Sequence, residues 1–120
     1  MTKISVNDLK MSYLNQPNVI QQRNGGEIMM PREQSLQFLD DLERYEIGIT
    51  NVTEWTYFPK SGTYSENYNC LDLSPEEMNF RESIQKAKDY IEECMKYPFA
   101  KLSKVYEDFI TLFSIYTLDD

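Results

Sequence analysis

The β-forming residues of this chain come in two pairs, each folded about a turn, and that restricts it to antiparallel sheet. The first pair flanks Arg23-Asn24-Gly25-Gly26. Asn-Gly tolerates the positive φ angles of a type I′ turn, and Val19-Ile20 and Ile28-Met29-Met30 stand on either side. Residues 18–30 therefore read as a β-hairpin. The second pair is larger. Residues 47–58 are dense in β-branched and aromatic side chains, Phe58-Pro59-Lys60-Ser61-Gly62 is turn chemistry, and residues 63–73 return. The alternation falters around Asn51, which predicts a bulge or a phase change there.

Helical signals surround these pairs. Ser5 to Asp8 caps a short helix running to Asn15, with Leu9 and Tyr13 on one face and Pro17 beyond it. Pro31 opens a second helix to about Tyr45, with Leu36, Leu39, Leu42 and Tyr45 at helical spacing. Ser74-Pro75-Glu76-Glu77 has the form of a capping box with proline at the first helical position. The helix it predicts buries Phe80, Ile84, Ala87, Ile91 and either Cys94 or Met95, and Tyr97-Pro98 breaks it. Leu102, Val105, Phe109, Leu112 and Tyr116 then predict a final helix. The apolar run from Phe109 to Tyr116 also reads as a strand, being short and rich in β-formers. The expectation is a single compact α+β domain over residues 1–120. Its antiparallel sheet is built from two β-hairpins, packed against three to four helices, with a C-terminal helical pair.

Composition removes whole classes of chemistry. The chain has no histidine, so Ser-His-Asp, Cys-His and His-based metal sites are excluded. It carries 20 acidic residues against 12 basic ones, and a net charge of -8 opposes direct binding to nucleic acid. Cys70 and Cys94 form no C-x-x-C pair and read as free thiols. No glycine-rich phosphate loop or EF-hand occurs, and no spacing among the carboxylates is diagnostic of glycoside cleavage. The expectation is a protein that is not an enzyme and needs no cofactor and no metal. No apolar stretch is long enough to span a bilayer and none resembles a signal peptide, so the expected location is cytoplasmic, without membrane partners.

Binding to another protein remains. Trp55, Tyr57, Phe58, Tyr64 and Tyr68 are interleaved with Ser61, Gly62, Ser65, Asn67 and Asn69, a mixture of broad rings and small polar residues typical of binding surfaces. Its alternative role is to form one face of the sheet core. The expected contact residues are Tyr57, Lys60, Tyr64, Glu66 and Tyr68, with Asp40 and Asp41 supplying an acidic patch for a partner with a basic surface. Small size and acidity are shared with antagonists such as immunity proteins and phage anti-defence proteins, which work by surface occlusion. Paired acids such as Asp40-Asp41 and Glu92-Glu93 raise a second reading, a DNA mimic that inhibits a nucleic-acid-binding protein. A third is a structural or regulatory subunit of an assembly, with a homodimer formed through the apolar C-terminal helix.

Overall fold

The computed structural model describes residues 5–74 and 76–118. Its centre is a three-stranded antiparallel sheet in the order β4-β3-β5, where β3 is Ile49–Phe58, β4 is Thr63–Asp72 and β5 is Ile110–Thr117. β3 and β4 are the predicted hairpin, closed at Gly62, whose φ of 71° suits a residue without Cβ. The expected irregularity near Asn51 is present as a register shift between Ile49 and Asn51 against β5. A second shift, between Thr53 and Trp55 against β4, was not legible.

The first hairpin is small. β1 (Ile20–Gln21) pairs with β2 (Ile28–Met29) as a separate two-stranded sheet. Asn24 and Gly25 take φ of 61° and 70°, and Gly26 N–H donates to the Arg23 carbonyl, so the Asn-Gly turn forms as read. One bridge, Met30 to Phe113, joins this hairpin to β5. The main sheet therefore takes its third strand from the C-terminal segment and not from the first hairpin, which corrects the two-hairpin sheet.

The C-terminal helical pair is also corrected. Helix α3 (Phe80–Lys96) is followed only by a single turn of helix, α4 (Phe99–Leu102), and then by β5. Leu112, Phe113 and Ile115 are buried within the domain. The apolar run that seemed free for a homodimer is thus consumed by the fold itself. Helical and strand periodicity cannot be separated over so short a run, and pairing with β3 decides it.

Two helices cover one face of the sheet. Helix α2 (Arg32–Arg44) and α3 pack on each other and enclose Phe38, Leu39, Leu42, Ile84, Ala87 and Ile91 against Ile49, Val52, Phe113 and Ile115. Helix α1 (Val6–Met11), capped by Ser5 as expected, joins through Val6 and Tyr13. Lys10, on α1, is buried beside Glu27 at 3.1 Å and lies over the Tyr116 ring.

The start of α3 lies later than read. Its N-cap is Asn79, whose Oδ1 accepts from Glu82 N–H at 2.9 Å while its Nδ2 donates back to Glu82 Oε1. Asn79 thus caps the helix five residues beyond the predicted cap, with a side-chain pair to Glu82 where a capping box would use the Asn79 backbone N–H. Ser74 instead accepts, through its carbonyl, from Glu77 N–H in a turn. Pro75 lies outside the described residues. The later start lets Ser83 Oγ accept from Ile49 N–H at 3.0 Å, which fixes α3 to the start of β3. Removing the true cap costs about 1 kcal/mol. We expect Asn79→Ala to lower the unfolding free energy by that amount and Ser74→Ala to leave it unchanged. Equal losses would reinstate the earlier helix start.

Candidate functional site

The second register shift in β3–β4 creates the most unusual feature of the surface. Thr53 faces Cys70 and Trp55 faces Glu66, so Asn67, Tyr68 and Asn69 together oppose Glu54 alone. Tyr68 takes a φ of 56° and is 91% exposed. A left-handed conformation costs a bulky L-residue about 1–2 kcal/mol. The ring is therefore displayed on strained backbone and recovers nothing from packing.

The two asparagines hold the bulge from beneath. Asn67 is buried and its Oδ1 accepts from Thr56 Oγ1 at 2.8 Å. Its Nδ2 is buried without a partner, a second local cost. Asn69 Nδ2 donates to Glu54 Oε1 at 2.9 Å and reaches Cys94 Sγ at 3.8 Å. Glu54 is wholly buried. Its other oxygen accepts from Phe99 N–H at 3.1 Å. That amide opens α4 and has no partner within the helix. No cation among the described residues pairs with Glu54. One carboxylate thus ties the bulge of β4 to the start of α4.

Glu54 reaches this position because β3 alternates. Val52, Glu54 and Thr56 point to the face covered by α3, with Phe113 of β5 opposite Glu54. Tyr90 and Cys94 approach from α3. Burial, reinforced by the neighbouring Glu54 charge, pushes the Cys94 thiol up to about 12. Burial also raises Tyr90, with Cys94 the next cause, although its hydroxyl makes no well-formed hydrogen bond. A thiol held protonated is neither a nucleophile nor a metal ligand at neutral pH. The cluster holds position; it offers no reactive group. No group of three or more candidate metal-ligating side chains occurs among the described residues. A shallow groove on α3, lined by Asp89, Glu92, Glu93, Met95 and Lys96, lies on a single helix and brings no second element to it.

The residues singled out in the sequence separate. Tyr57 and Tyr64 face each other across β3 and β4, half-buried. Tyr64 meets Trp55 edge-on at 5.9 Å, and its hydroxyl accepts from Arg23 N–H, so this ring binds the first hairpin. Trp55 donates to Ser114 Oγ at 2.9 Å. Glu66 is exposed opposite Trp55, and Lys60 stands at the hairpin tip, 3.8 Å from Asp108. Asp40 pairs with Lys88 at 2.7 Å. Asp41 accepts from the Tyr13 hydroxyl at 2.6 Å and lies 3.6 Å from Arg44. Asp40 and Asp41 are on α2, apart from the hairpin. Tyr68 and Glu66 alone of the seven share the bulged stretch of β4.

Glu54 and its tie to α4 are not legible in the sequence, and Asn67 and Asn69, read there as adaptable polar residues of a binding surface, turn out to support a bulge. The available signal was a pair of asparagines, poor strand formers, on either side of a tyrosine within an otherwise strong strand. The chain finds no match among protein-family models, curated proteins or solved structures. No helix among the described residues is long and apolar enough to cross a membrane.

Glu54→Ala leaves the Asn69 and Phe99 donors without an acceptor. Each such loss costs about 1–3 kcal/mol. We expect a loss of about 2–4 kcal/mol in denaturant unfolding; an unchanged midpoint would show that the tie carries no energy. The thiols give a second check. Cys70 is exposed and Cys94 buried, so a thiol reagent should titrate only Cys70 in the native protein and both after unfolding. The unfolded chain loses the Cys94 proton near the ordinary value of 9.0 while the native state holds it to about 12. This contribution to stability is complete below about pH 9 and is lost as pH rises toward 12. A Cys94→Ala variant should unfold less steeply across that window, and an identical alkaline profile would contradict it.

Proposed function

We propose that the protein is a protein-binding module that acts by occluding the surface of another protein, as inhibitors and antagonists do. The observation that carries this reading is Tyr68. A large ring 91% exposed, on a backbone with φ of 56°, is a cost with no return inside the fold. Strain of that kind persists where the surrounding structure enforces it, and it concentrates at sites of recognition. Tyrosine is also among the residues that most often anchor interfaces. Glu66 continues the contact surface along β4, the open edge of the sheet. The bulge interrupts that edge, which argues for side-chain recognition over addition of a partner strand.

The net charge of -8 favours a partner with a basic surface at long range. The DNA-mimic reading receives less support. Asp40, Glu92 and Asp108 each lie within an ion pair to Lys88, Arg32 and Lys60, so the acid does not form a free stripe.

Asparagine tolerates the left-handed region far better than tyrosine. Tyr68→Asn should therefore stabilise the fold by up to about 1 kcal/mol, which is about 4 °C in a domain of this size. The same change should abolish retention of the partner. The test uses wild-type and Tyr68→Asn proteins as baits in the native host, with quantitative mass spectrometry and melting curves for both. A retained set of proteins identical for the two baits would remove Tyr68 from recognition.

A further inference from the structure

The β4 bulge borders a second unusual surface. Among the described residues, five of the nine exposed large apolar side chains lie between residues 95 and 106: Met95, Tyr97, Phe99, Leu102 and Tyr106. Single exposed apolar residues are ordinary, whereas a cluster marks a contact site. Glu54 brings the α4 part of this segment to the β4 bulge, because the Asn69 side chain and the Phe99 amide donate to its two oxygens and α4 contacts β4.

The charge there is opposite to that of the molecule. Residues 94–106 contain Lys96, Lys101 and Lys104 and no Asp or Glu. Elsewhere among the described residues five bases pair with acids, among them Lys88 with Asp40, Arg32 with Glu92 and Lys10 with Glu27, while Arg23, Arg81 and Lys86 do not. Lys101 and Lys104 form no ion pair with any described residue. Lys104 also sits at φ 58°, just past the end of α4, where Val105 N–H donates to the Ala100 carbonyl and Lys104 N–H to that of Lys101. That position normally takes glycine or asparagine. Two residues on left-handed backbone, Lys104 just after α4 and Tyr68 in β4, therefore belong to neighbouring segments.

We propose that this patch seats an acidic, apolar segment of a partner protein, its apolar side chains on Leu102, Phe99 and Tyr68 and its carboxylates on Lys101 and Lys104. The proposal rests on the protein-binding reading and names the polarity of the contact. A basic segment would meet two uncompensated lysines. Nucleic acid and anionic membrane are extended polyanions and would meet the whole charge of -8. A short acidic segment meets only the charges within a Debye length, about 8 Å at physiological salt. A partner positive overall can still be steered by the net charge of -8 and seat one acidic segment here.

The test is selection of a random displayed peptide library on the wild-type protein, with Leu102→Asp as counter-target. Leu102, Lys101 and Lys104 are exposed, and melting curves establish that the variants fold. We expect enriched peptides that combine Leu or aromatic residues with Asp or Glu. The double variant Lys101→Glu, Lys104→Glu should weaken them about tenfold or more, a loss of hot-spot size. Enrichment of Lys- or Arg-rich peptides, tightened by that double variant, would overturn the polarity and leave the binding module intact. Absence of any Leu102-dependent peptide would overturn the docking surface, whatever Tyr68 does with the native partner. Leu102-dependent binding of oligothymidine, or of equimolar phosphatidylserine and phosphatidylcholine vesicles, in place of peptides would overturn the class of partner.

Discussion

A carboxylate taken out of water without a cation is expensive, and Glu54 is such a group at the centre of this sheet. Its compensation comes from donors, not charges: the Asn69 side chain from β4 and the Phe99 amide from α4. Each donor belongs to a segment with little apolar anchorage, Ala100 being the one buried side chain of α4. The bulge projects away from the core, and α4 is one turn of helix with exposed side chains. Both depend on the same two oxygens. Hydrogen bonds to an ionised group are stronger than neutral ones, which suits a carboxylate to this task better than an amide.

From that tie follows the shape of the surface. Three residues of β4 stand opposite one of β3, Asn67 and Asn69 turn inward, and Tyr68 between them is forced outward onto left-handed backbone. The bulge also blunts the open edge of the sheet, where an uninterrupted strand would invite edge-to-edge pairing. The α4 segment is drawn alongside, carrying its apolar side chains and lysines. Of the two helices on the covered face, α2 is acidic while α3 balances its acids with bases, and Asp40, Asp41 and Glu92 lie in ion pairs. The chain thus separates a long-range acidic field from a local patch that is apolar and basic.

The legible part of this architecture was the part governed by local rules. Helical spacing located α2 and the inner face of α3, and Asn24-Gly25 and Gly62 marked both turns. The start of α3 differs from the reading because two N-cap candidates, Ser74 and Asn79, each with Glu three residues later, stand five residues apart, and contact between Ser83 and β3, a tertiary effect, favours the second. The final strand was ambiguous because Leu112, Phe113 and Ile115 satisfy either period. Tyr68 was picked out by composition. Asn67 and Asn69 stand in the same polar–aromatic mixture, but their part in a bulge is not legible, because a bulge is a mismatch between two strands and neither strand alone displays it. Glu54 shares the phase of Val52 and Thr56, so alternation places it inward, but its charge argues the opposite until its partners are known.

The most direct test of the tie is native-state amide hydrogen exchange in wild type and Asn69→Ala. The substitution removes a side chain on β4 and leaves α4 unchanged in sequence. If one carboxylate holds both segments, the Phe99 amide should exchange faster in the variant, while the amides of Phe38 and Ile84, deep in α2 and α3, keep their protection. A Phe99 amide as protected in Asn69→Ala as in wild type would mean that α4 is held independently of the bulge, and the account built on Glu54 would fail.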